Sequence, residues 1–174
     1  EKTANESKKY GIDVIEEFFT EKLANRLSLE NKKADLLIGN NVFAHVPNIN
    51  DFTNGMKIIL KNNGTINLEF PHILNLIQEN QFDTIYHEHF SYLSLFTVIK
   101  IFNSAGLKVY HVDQLETHGG SLRVYGTHVD SNINISHSVN NILLSEEDEI
   151  LAFGENYLSH PGGRIYLTIR DFGK

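Results

Sequence analysis

The chain contains no cysteine and a single methionine, Met56. Without cysteine there can be no disulfide scaffold, no thiolate-bound zinc and no thiol nucleophile within its 174 residues. Positive charge is scarce: 15 Lys and Arg stand against 22 Asp and Glu, a net charge of −7. A surface that tracks phosphates needs the opposite sign, so DNA or RNA binding is not expected. Apolar runs are short, such as Leu36-Leu37-Ile38 and Ile58-Ile59-Leu60, whereas a membrane-spanning helix takes about 20 apolar residues. The opening Glu1-Lys2-Thr3-Ala4 has neither the basic start nor the apolar core of a signal peptide. With no initiator Met, the chain reads as cut from something longer, or processed.

What is present is ordinary globular composition, 41% apolar and 21% charged. The length suits one domain or a little more. Residues 3–10 predict a short polar helix stopped by Gly11, and Ile12 to Ile15 a brief β-type run. Thr20 is a plausible N-cap for a helix through Leu29, with Leu23, Ala24 and Leu27 at helical spacing. Asp35 to Gly39 reads as a strand covered on both faces, as in a parallel sheet. A helix from Asn50 or Asp51 carries Phe52, Met56, Ile59 and Leu60, and Asn62-Asn63-Gly64 signals a turn. Thr65 to Phe70 is a strand ended by Pro71, and Leu95 to Ala105 a helix ended by Gly106. Leu107–Leu115 and Ser121–His128 are consecutive strands joined by a sharp reversal. Ser145 to Glu149 resembles an acidic helix start, and Pro161-Gly162-Gly163 breaks what precedes it. Alternating helices and strands predict a parallel α/β sheet with right-handed crossovers, and two closing strands in succession predict one antiparallel edge strand. Phe18, Phe19, Phe96 and Phe102 read as core. His72, His111, His128, His137 and His160 read as surface or structural residues.

Three segments could carry chemistry. Gly39-Asn40-Asn41 follows a parallel-type strand, and ligands bind at the carboxyl ends of such strands. Asn40 and Asn41 offer amide donors and acceptors for a polar ligand such as an amino-acid group; an ordinary polar loop is the alternative. Tyr86-His87-Glu88-His89 concentrates hydrogen-bonding and proton-handling groups, and histidine is the usual base near neutrality. Residues three apart on a helix or turn share a face, so Tyr86 and His89 can meet one ligand with Glu88 at the side. A zinc or iron site built on His-x-His and Glu, or a polar surface turn, remains open for the same residues. In His118-Gly119-Gly120-Ser121-Leu122-Arg123, paired glycines permit positive φ and expose N–H groups to an anion. Arg123 could then pair with a phosphate. A plain turn with Arg123 in solvent explains the same residues.

Four stretches, Asn40 to Asn48, Glu69-Phe70-Pro71-His72, Asn80 to Ser94 and Thr117 to Tyr125, resemble the S-adenosylmethionine-dependent sugar C-methyltransferases. The resemblance covers about residues 1–128. It implies a Rossmann-like class I methyltransferase sheet, mostly parallel with one antiparallel strand near the end and incomplete at the N-terminus. It implies S-adenosyl-L-methionine as cofactor and methyl transfer to a carbon beside the ketone of a nucleotide-linked keto-deoxysugar. By position, His89 matches the general base, with Glu88 and Tyr86 as neighbours and His45 as a further site histidine. Asn40 and Asn41 match the loop at the methionine part of the cofactor, and Glu1 the acidic residue that binds its ribose. His118, Ser121 and Arg123 are the residues expected at the substrate. No metal ligand is assigned; zinc belongs to a cysteine-rich domain that members carry ahead of the region matched here. The family's glycine-rich loop is likewise absent, and residues 129–174 read as the start of a C-terminal region. Asp35–Gly39 would then lie at an exposed sheet edge, and residues 1–174 alone are expected to bind the cofactor weakly. The implied protein is cytoplasmic, with a nucleotide-sugar substrate and no nucleic-acid or membrane partner. A metal-dependent His/Glu enzyme and a non-catalytic methyltransferase-like fragment are the alternatives.

Overall fold

A computed structural model describes the backbone of residues 2–157 and the side chains of 4–148. Glu1 and Pro161-Gly162-Gly163 lie outside the described residues. Helix α1 (Lys2–Lys9) ends before Gly11, whose φ of 74° closes the turn. The run Ile12 to Ile15 is not a strand; both isoleucines are exposed and pair with no neighbour in a sheet. Thr20 caps α2 (Glu21–Leu29) by accepting from the Leu23 amide at 3.2 Å. Leu23, Ala24 and Leu27 of α2 pack with Ile59 of α3 (Ile49–Ile59) as a small satellite core. Asn48 caps α3 by accepting from Asp51 N at 3.1 Å.

Among the described residues, four strands form one sheet. Strand β1 (Ala34–Asn40) runs parallel to β2 (Leu60–Pro71), while β4 (Ser121–His128) runs antiparallel to both β2 and β3 (Leu107–Leu115), in the order β1-β2-β4-β3. The antiparallel strand therefore lies inside the sheet, and β3 takes the edge expected for it. The turn at Asn62-Asn63-Gly64 is absorbed into β2 as an irregularity, where the register jumps from Ala34↔Leu60 to Leu36↔Thr65. Helix α4 (Ile73–Gln78) occupies part of a segment that gave little periodic signal, and α5 (Leu95–Ser104) follows.

The sheet's two faces differ because side chains alternate along a strand. Ile66, Leu68 and Phe70 of β2 pair with Gly126, Val124 and Leu122 of β4, and all but the glycine are at most 1% exposed. Phe102 of α5 lies over Gly126, so close that a Cβ there would sit 2.3 Å from the ring. The other face is polar: Glu69 pairs with Arg123, and Tyr125 donates to Asp113, which also meets His111 at 3.0 Å. Burial pushes the Tyr125 hydroxyl pKa up, and the Asp113 carboxylate adds to this.

β1 is buried on one face only: Leu36 and Ile38 are 53% and 67% exposed, against the expectation of cover on both sides. Phe102 and Phe19 reach the core, but Phe18 is exposed and Phe96 lies outside under the Lys100 ammonium. Ser145 to Glu149 is no helix start; it falls within α6 (His137–Tyr157), whose Val139 and Ile142 join the main core.

Candidate active site

Three chain segments meet where β1 and β2 end. β1 delivers Asn40 and Asn41, β2 delivers Pro71 and His72, and the pairing of Pro71 and Leu115 with Ser121 brings the β3–β4 turn to the same place. The switch from strand to loop is abrupt: Asn41 takes φ 51°, a left-handed conformation that asparagine tolerates, and its amide donates to the Glu69 carbonyl at 2.8 Å. A cavity of about 360 Å³ opens there, lined by Asn41, Pro71, Gln81, Asp83, Thr84, Tyr86, His89, His118 and Gly119.

His89 is oriented by the backbone. Its Nδ1 lies 2.8 Å from the Thr84 carbonyl, which can only accept, so the ring carries its proton on Nδ1. That leaves the Nε2 lone pair to accept from the Tyr86 hydroxyl at 3.2 Å. The Tyr86 and His89 rings are 4.3 Å apart, His45 packs against His89 at 4.7 Å with the planes inclined at 47°, and Tyr92 meets it edge-on at 5.8 Å. His45 donates from Nδ1 to the Glu88 carbonyl at 2.9 Å, and the Phe90 amide bonds Ala44 O at 2.9 Å, which locks the β1 loop to this segment. Among the described residues the Glu88 carboxylate makes no hydrogen bond to His89. The Thr84 carbonyl, not the adjacent Glu88 carboxylate, orients the His89 ring, and Glu88 serves His45 through its backbone carbonyl.

The remaining expected residues separate. Asn41 lines the cavity, and its Oδ1 is buried without a partner among the described residues; Asn40 is exposed and outside the lining. His118 lines the cavity with φ 53°. Ser121 is 1% exposed and donates to the Thr117 carbonyl at 2.9 Å, so its hydroxyl is spent within the turn. Arg123 donates to Glu69 at 2.7 Å instead of standing free for a phosphate. Hydrogen bonding from Arg123, helped by Thr117, holds the Glu69 carboxyl below its ordinary pKa, against burial, which pulls the other way. Glu69 is thus a site organiser that went unassigned; an acid closing an apolar strand was its signal. Gln81, which donates to Gly119 O at 2.7 Å, joins two of the segments and also went unassigned. Among the described residues no group of three His, Asp or Glu side chains is arranged to hold a metal ion, so the metal alternative has no donor set there.

No protein-family model matches the chain. It is 33% identical over 163 residues to the C-methyltransferase NovU of Streptomyces niveus, an alignment covering 92% of this chain. The chain spans 39% of that relative's length. Among solved structures, an S-adenosylmethionine-dependent methyltransferase of Thermotoga maritima superposes with a TM-score of 0.54 at 16% identity, covering 74% of this chain and 70% of that one. The O-methyltransferase NcsB1 of neocarzinostatin biosynthesis gives a TM-score of 0.46 at 11% identity, over 62% of this chain and 38% of that one. With the Thermotoga overlay and the order of its sheet, the chain has the α/β, Rossmann-like fold of the class I S-adenosylmethionine-dependent methyltransferases, and in sequence it is similar to a C-methyltransferase.

Proposed function

We propose that this chain is the part of an S-adenosyl-L-methionine-dependent C-methyltransferase that holds the proton-abstracting site, acting beside the ketone of a nucleotide-linked keto-deoxysugar. The observation that carries the reading is the paired geometry of His89 and Tyr86 at the cavity, an imidazole whose free lone pair faces a hydroxyl donor. Carbon becomes nucleophilic only when a proton next to a carbonyl is removed. His89 Nε2 accepts that proton, a contribution of roughly 10²–10⁴-fold. The electron pair left behind delocalises onto the carbonyl oxygen, where the Tyr86 hydroxyl turns from Nε2 to donate. His45 packs against the His89 ring at 4.7 Å and is itself held by the Glu88 carbonyl.

The site fits the cofactor at one point. The buried, unpartnered Asn41 Oδ1 is an acceptor in the cavity wall, suited to the ammonium of an amino-acid group. When bound, S-adenosyl-L-methionine supplies an electrophilic methyl on sulfur. Asn41 would hold its amino-acid end, and His118 would face the substrate from the β3–β4 turn. In this reading residues 1–128 belong to the methyltransferase domain and 129–174 open the region that follows.

The test is methyl transfer by the full-length protein, using methyl-labelled cofactor and a panel of nucleotide-linked keto-deoxysugars. A labelled product with a new carbon–methyl bond supports the reading. Label on oxygen or nitrogen, or none with any keto-sugar, overturns it.

A further inference from the structure

The groups that meet the cavity from segment 73–92 all lie between two points that touch each other. His72 and Leu93 form a parallel bridge, and the Ile73 amide donates to Leu93 O at 3.1 Å. The segment therefore leaves the sheet and returns through one neck. A single carboxylate from α6 grips both sides of that neck. Glu146 Oε1 lies 2.8 Å from His72 Nε2 on the entering side, and the same oxygen takes the Leu95 amide at 2.5 Å on the departing side. Oε2 takes the Phe96 amide at 2.9 Å. Those two amides belong to the first turn of α5 and have no partner within their own helix. Ser94 satisfies the next by accepting from Thr97 N at 3.1 Å.

Burial makes the grip stiff. Glu146 is 3% exposed and His72 is 1% exposed. A buried carboxylate is tolerated only with its donors in place, and its removal would strand three N–H groups at once. Motion at the neck reaches the reacting groups directly. Pro71, next to His72, lines the cavity, and Tyr92, next to Leu93, packs edge-on against His89.

We infer that Glu146 is a positioning residue for the His89–Tyr86 pair, clamping the neck of segment 73–92 from α6. The inference rests on the reading of His89 and Tyr86 given above, since misplacement by about 1 Å costs a reaction roughly 10²-fold. Glu146→Gln keeps the side chain's size but turns one acceptor into a donor facing other donors; Glu146→Leu removes all three bonds. The test compares both with the unsubstituted full-length protein in two measurements. Amide hydrogen exchange without substrate is expected to speed up by about tenfold or more across 73–92, with β2 and β4 unchanged. Steady-state kinetics are expected to show kcat lower by about tenfold or more, with KM within about threefold. Exchange that accelerates throughout the sheet, or stays unchanged in 73–92, overturns the inference, as does an unaltered kcat. If Glu146→Leu fails to fold, Glu146→Gln carries both measurements. Absence of C-methylation by the unsubstituted protein would sink the functional reading, while the exchange result would still report whether the clamp exists.

Discussion

Replacing Tyr86 by Phe removes one oxygen and separates its resting contact from the role that the proposed function gives it. In the resting site the hydroxyl only touches His89 Nε2, at 3.2 Å, a long bond on a side chain that is 42% exposed. Its loss there should cost about 0.5–1 kcal/mol or less. The His89 ring keeps its Thr84 anchor, so folding stability should hardly change. In the proposed reaction the same hydroxyl would meet a developing oxyanion, and removing such a donor costs about 10²–10³ in kcat, or about 2.7–4 kcal/mol. The expected result for Tyr86→Phe is therefore an unchanged melting midpoint, kcat lower by about 10²-fold or more and KM within a few-fold. The assay is initial-rate methyl transfer by the full-length protein, with thermal unfolding followed on the same preparations. A loss in kcat below tenfold would refute the oxyanion role, and a rise in KM at constant kcat would make Tyr86 a binding residue instead.

Two further expectations follow from the packing and from the ion pair. Gly126→Ala would place a methyl 2.3 Å from Phe102 Cε1 in the main core. Overpacking of this kind costs about 1–3 kcal/mol, read as a midpoint lowered by roughly 2–12 °C in thermal unfolding; an unchanged midpoint would show that α5 can shift off the sheet freely. Glu69 has its folded pKa below the ordinary value of 4.5 because Arg123 and Thr117 donate to it. Its ionised form therefore contributes stability above about pH 4.5, which is lost as the pH falls through the lower folded value. Urea unfolding between pH 3 and 7 should show a steeper acid decline for the unsubstituted protein than for Glu69→Gln, and parallel curves would remove Glu69 from the acid response.

Local signals carried much of the fold. Thr20 before an apolar 3–4 spacing does cap a helix, and Gly11 and Gly106 take positive φ where helices stop. The site segments were also legible, because unusual side chains cluster in 40–45, 84–92 and 117–120. What failed was whatever depended on distant partners. Arg123 looked free because Glu69, which binds it, is a strand neighbour only through register. Glu146 looked like first-turn acid of its own helix, yet its carboxylate serves the first turn of α5. Glu88 stands beside His89 in the chain, but the tight turn hands orientation to the Thr84 carbonyl. Leu36 and Ile38 fit a doubly covered strand, yet no described residue covers their face.

The most direct measurement is hydrogen exchange at the substrate carbon beside the ketone, followed by NMR in D₂O with the full-length protein and no methyl donor. The account predicts that deuterium enters that position with the unsubstituted protein and that His89→Ala reduces the rate to the uncatalysed level. Wash-in by His89→Ala at the unsubstituted rate would contradict it, because some other group would then be taking the proton.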